Sequence, residues 1–168
     1  MQEAEKKDLE ARRRESAITN MYYNRYLVVR YATALLLFIN LYWFLMLFTE
    51  GAPLYLFILP LSLLIGAALT MWEMALMNTR DQREAKMATI FYKMIIVVNV
   101  LLVLLSVLGH YTTFFPLLKQ SLSSLLAVLI LQLCGILLSI GILSRLRQIR
   151  CKSDKQYKRI QTYLASIT

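Results

Sequence analysis

The sequence predicts an all-α, polytopic integral membrane protein: four transmembrane helices in two antiparallel hairpins, with both termini inside. Three observations carry this reading. First, the chain has 168 residues, 58% of them hydrophobic, and four stretches without charge, 31–49, 51–72, 94–118 and 120–144. At about 1.5 Å of rise per residue, roughly 20 residues cross the ~30 Å hydrocarbon layer, so each stretch suffices for one span. Second, the charge is sorted. Of 19 Lys and Arg, all but Lys119 precede the first span, follow the last, or lie in the central break at residues 72–93. Positive residues stay on the cytoplasmic side, which places both termini and the central break inside. Third, the alternating pattern of a membrane barrel is absent, so the spans satisfy their backbones as helices.

The elements follow in order. Residues 1–25 read as a charged, solvated helix, with Glu3–Lys7, Asp8–Arg12 and Glu10–Arg14 each spaced i,i+4. It is either a plain soluble extension or a docking handle for a partner. Arg25 and Arg30, among Tyr22, Tyr23, Tyr26 and Tyr31, suit the inner boundary, where their guanidinium groups snorkel to phosphates. The bundle itself occupies 26–144, with spans at about 27–48, 54–77, 88–108 and 121–144. A short turn near Pro53 makes the first two spans antiparallel neighbours. Pro60 is expected to bend span two in its outer half.

Thr79-Arg80-Asp81-Gln82 fits a capping box, so span three is expected to begin there as a cytoplasmic helix and continue across. The connection at 109–121 carries His110, Tyr111, Phe114, Phe115 and Pro116, which suits the outer interface. Residues 145–168 place Tyr157, Ile160, Leu164 and Ile167 on one face of a basic amphipathic helix. Such a helix lies on the anionic inner leaflet or packs on a partner.

Three groups of residues are candidates for function. Asn40, Asn99 and Gln132 fall near the middles of spans one, three and four. An unpartnered amide in hydrocarbon is costly, so they either bond to each other across helices or line a polar path. Arg30, Glu73 and Lys93 fall at one height near the inner boundary. They read as a structural ion pair or as an anion or lipid-headgroup site. Ser62, Gly66 and Thr70 in span two, and Gly135 and Ser139 in span four, are small residues four apart that let helices approach closely.

Other chemistry finds little support. His110 is the sole histidine, and Cys134 and Cys151 are not spaced as ligands, so no metal or other cofactor is expected. The two cysteines suit a reduced compartment rather than a disulfide framework. There is no phosphate loop and no nucleophile elbow. The membrane sorting of charge accounts for the net +9, and no nucleic-acid partner is needed. A charged segment precedes the first apolar run, which is expected to serve as an uncleaved anchor.

The texture is similar to that of small four-helix bacterial inner-membrane proteins. The expected setting is a multi-pass protein of a bacterial plasma membrane, its partners lipids and a membrane protein or a second copy of itself. The expected function is a small non-catalytic subunit or accessory protein. The alternatives are an oligomeric transporter or channel with a carboxamide-lined path, and an intramembrane lipid-modifying enzyme using Glu73.

Overall fold

The structure, a computed structural model, describes residues 2–77, 84–118 and 120–165. Among them every regular element is helical. α1 spans Gln2–Arg25, α2 Leu27–Thr49, α3 Ile58–Leu76, α4 Lys86–Leu105, α5 Tyr111–Phe114, α6 Leu122–Arg150 and α7 Lys155–Ala165. Four helical segments are long and apolar enough to cross a membrane: Leu27–Thr49, Leu54–Leu76, Lys86–Phe114 and the start of Leu122–Ala165. Large apolar side chains such as Phe38, Ile65, Val97 and Leu137 point outward from these segments, the pattern of helices bathed by lipid on their outer faces.

α4 packs along both α3 and α6, and α2 packs along α3, whereas α2 touches α6 only slightly. The core runs between α2, α3 and α4, through Val29, Leu36, Leu63, Ala67, Phe91 and Ile95. Two buried hydroxyls are satisfied within it. Thr33 Oγ1 bonds Tyr92 Oη at 2.9 Å, and each reaches the Val29 carbonyl.

The contacts define two ends. At the basic end meet Arg25, Arg30, Glu73, Met87 and Asp154. At the aromatic end the Trp43 indole N–H donates to the Phe114 carbonyl at 2.9 Å, and Trp43 stacks on Phe115 at 5.7 Å between centroids. Gly109, at φ +88°, kinks the chain there within the π-helical segment Ser106–His110 that leads into α5. A residue with a Cβ is disfavoured in that conformation.

Three expectations about the helices change. Pro60 stands in the first turn of α3, just after a 3₁₀ turn at Leu54–Phe57, rather than in a helix interior. A missing N–H costs little in a first turn. The Thr79 capping box lies outside the described residues, and α4 begins at Lys86 after two non-helical residues, not at Thr79. Glu73 supplies the cap instead, as described below. Finally, α6 runs past Ser144 to Arg150 before the chain turns into α7, which packs on α1. Ile160 of α7 is 1% exposed, so this part of the amphipathic stripe covers protein rather than a lipid leaflet. Ile167 lies outside the described residues.

Candidate functional site

The three carboxamides come together. Asn40 of α2, Asn99 of α4 and Gln132 of α6 all line one cleft of about 490 Å³ between these helices. Its walls are apolar, with Leu35, Leu131 and Leu138 at the sides and Trp43, Phe115 and Leu118 towards the aromatic end. The cleft exists because α2 and α6 scarcely touch. Asn40 and Gln132 are 5% and 2% exposed.

The amides do not bond to one another. The Asn40 amino group donates to the Leu36 carbonyl at 2.7 Å, and that of Asn99 to the Ile95 carbonyl at 2.8 Å, each on its own helix. A carbonyl only accepts, which fixes the orientation of both amides. Their own oxygens then have no donor among the described residues. Gln132 Nε2 makes a long 3.4 Å contact to Ser106 Oγ, and Gln132 Oε1 is buried without a partner. The lining therefore carries amide oxygens without a donor beside amino groups that each keep a second N–H, and the Gln132 oxygen is enclosed by protein. Of the two readings the sequence leaves open, interhelical bonds among the amides are absent and a shared lining is present.

The small residues serve close approach. A Cβ on Gly66 would stand 2.9 Å from the Phe91 ring, and one on Gly135 would stand 3.3 Å from Asn99 Oδ1. Gly66 thus admits α4 beside α3, and Gly135 admits the Asn99 amide beside α6. Thr70 is fully buried and returns its hydroxyl to the Gly66 carbonyl at 2.8 Å. Ser62 does the same to Leu59 at 2.7 Å. Ser139 is fully buried, and its hydroxyl has no partner.

The charge cluster divides. Glu73 accepts from the backbone N–H groups of Met87 at 3.0 Å and Ala88 at 2.9 Å. It caps α4 from the end of α3, where a carboxylate also meets the positive pole of the helix. Arg30 donates to the Met74 carbonyl and lies 3.8 Å from the Tyr23 ring centroid. Lys93 is exposed on another side of α4. Glu73 forms no ion pair with either cation among the described residues.

The strongest polar contact was not foreseen from the sequence. Arg25 is buried, not snorkelling. Its Nε and Nη2 donate to the Asp154 carboxylate at 2.6–3.1 Å, and Nη2 also donates to the Ile149 carbonyl at 2.8 Å. Asp154 in turn accepts from the Tyr157 N–H at 3.2 Å, capping α7, and Tyr157 lies under the guanidinium at 5.0 Å. Burial alone would raise the Asp154 carboxyl; the Arg25 hydrogen bonds and charge, with the Tyr157 N–H, outweigh it and hold the group below the usual carboxylate value. The sequence signal was Ser153-Asp154 just before the helical Lys155, an N-cap pattern.

Compared with known protein families, curated proteins and solved structures, the chain matches none of them significantly. Its chemistry must therefore be argued from its own groups. The cleft can hold a group that pairs with a carboxamide, such as a hydroxyl or an amide, in otherwise apolar surroundings.

Proposed function

We propose that the protein is a small non-catalytic membrane subunit that works through contacts within the bilayer and at its cytoplasmic face. In this reading the chain crosses a bacterial plasma membrane four times as two antiparallel hairpins. Both termini and the connection between α3 and α4 are cytoplasmic; the sorting of Lys and Arg supports that orientation. The single observation that carries the reading is the apolar cleft between α2 and α6 lined by three carboxamides that do not bond one another. Lipid tails cannot satisfy a carbonyl oxygen. A helix of a partner, or of a second copy, carrying Ser, Thr, Asn or Gln can do so at the seam where α2 and α6 leave a gap.

α1 fits the cytoplasmic half of this role. Residues 8–16 are exposed throughout, while Arg25 ties its far end to α6 and α7. The result is a charged rod held at one end and open to a partner at the other. Purification in mild detergent is expected to recover a stoichiometric membrane partner or a homo-oligomer. A clean monomer under gentle conditions contradicts the proposal.

A second reading has one observation in its favour: the three carboxamides line one cleft and do not bond one another. The cleft then forms part of a path for a donor-bearing solute in an oligomeric carrier. Flux into liposomes separates the readings. Under the second, Asn40→Leu and Asn99→Leu abolish transport in a folded protein; under the first, wild-type liposomes show no flux.

A further inference from the structure

Two helices of this protein end in the same motif and differ in its key residue. At the end of α2 the Gly51 N–H donates to the Phe48 carbonyl at 3.3 Å and the Ala52 N–H to the Leu47 carbonyl at 3.1 Å. At the end of α6 the Lys152 N–H donates to the Ile149 carbonyl at 3.1 Å and the Ser153 N–H to the Gln148 carbonyl at 3.1 Å. Both are Schellman endings, which require a left-handed residue. Gly51 fills that position at φ +62°, and Lys152 at φ +53°. Glycine suits this conformation because it has no Cβ. A lysine there strains the backbone at the point where an ammonium group is presented.

Lys152 borders a groove of about 780 Å³ between the start of α4 and the end of α6. Lys86 and Lys93 of α4, with Arg147 and Arg150 of α6, line it as well. All five cations are exposed, and none has a carboxylate partner among the described residues. Glu84 is the acid on the rim, and the charge of Arg25, which also borders the groove, is already matched by Asp154. The cations are therefore in clear excess. Beside them runs an aliphatic wall of Ile90, Leu143 and Leu146. Lys86 and Lys93 are about 10 Å apart along the helix axis, so the groove runs from the charged end of α4 into its apolar stretch.

A soluble anion would use the cations and leave the aliphatic wall wet. An amphiphile with a phosphate at one end uses both. We infer that this groove binds an anionic phospholipid, its phosphate among Lys93, Arg147 and Lys152 and the start of an acyl chain along Ile90 and Leu143. The site is separate from the cleft and does not depend on what fills it.

The test uses the purified full-length protein in detergent and three probes: dioctanoyl phosphatidylglycerol, dioctanoyl phosphatidylcholine and inorganic phosphate. Binding is read by calorimetry and by thermal shift. Phosphatidylglycerol is expected to bind saturably and raise the melting temperature, with the other two inert at equal concentration. The double variant Lys93→Gln/Arg147→Gln weakens that binding on the order of tenfold. Arg13→Gln/Arg159→Gln removes the same charge elsewhere and leaves it unchanged. Lys152→Gly relieves the backbone, so the lipid-free protein melts higher while phosphatidylglycerol binds several-fold more weakly. Equal binding of the two lipids overturns the site, as does equal weakening by the two double variants. An equal effect of inorganic phosphate overturns the lipid as its source. Should the Lys93/Arg147 variant fail to fold, Lys152→Gly decides alone, and unchanged affinity in that variant overturns the site.

Discussion

The joint at Arg25–Asp154 and the cleft at Asn40–Asn99–Gln132 are both buried and polar, yet they are finished differently. In the joint the donors and acceptors pair across helices: Arg25 engages Asp154 and the Ile149 carbonyl through Nε and Nη2, and Asp154 engages the Tyr157 N–H. In the cleft the amino groups turn back onto their own helices or reach Ser106 weakly, and the three amide oxygens have no donor among the described residues. A polar cluster that serves only the fold closes on itself, because an unpaired buried group costs stability. One that leaves acceptors open in apolar surroundings is incomplete in the single chain. The joint is accordingly read as structure, and the cleft as the place where something else binds.

Breaking the joint should have the largest effect. Asp154→Ala leaves the buried Arg25 charge unmatched, a loss of about 3–5 kcal/mol for such pairs. Limited proteolysis is expected to cut α7 from the variant well before the wild type. Arg25→Met/Asp154→Leu removes both charges and should recover most of the loss. If the double variant is as damaged as the single one, the ion pair is not what holds α7.

Acid should break the same joint reversibly. The Asp154 carboxyl sits below its ordinary value in the folded protein, so its contribution is complete above the unfolded value of about 3.9 and fades as pH falls through the lower folded value. α7 should therefore stay docked at pH 5 and loosen well below pH 4, as followed by fluorescence of a label on Cys151. Loosening between pH 6 and 7 would point to another group.

The cleft should respond in the opposite direction. Gln132→Leu removes an unpaired buried acceptor and fills apolar space, so the isolated bundle should gain about 1 kcal/mol or lose nothing. The same variant should lose its partner in mild-detergent purification. A substitution that stabilises the chain and weakens its assembly separates the cleft from the joint. A clear loss of stability in Gln132→Leu would make the amide part of the fold.

The helical segments were legible because hydrocarbon forbids charge over some 20 residues, and that pattern survives in a linear sequence. Position along a helix can be read in the same way, and Asn40, Asn99 and Gln132, each near the middle of its span, line one cleft. Rotation about each helix cannot be read so. Glu73 engages Met87 and Ala88, roughly 8 Å before Lys93 along α4, and Lys93 lines a different groove, which depends on how α4 turns against α3 and α6. Arg25–Asp154 was out of reach because the partners are 129 residues apart, and proximity to the membrane suggested phosphates as the arginine's partner instead. The Glu73 cap of α4 is invisible in sequence because it comes from another helix, whereas the Thr79 pattern is local and lies outside the described residues.

The most direct test of the central claim is site-specific photo-crosslinking in cells. A photoreactive residue replaces Leu35 or Leu131 on the cleft wall, or Ile65, which is equally outward-facing on α3. The account predicts a discrete protein adduct from Leu35 and Leu131, lost in Gln132→Leu, and only lipid adducts from Ile65. Lipid adducts alone from all three positions would contradict it.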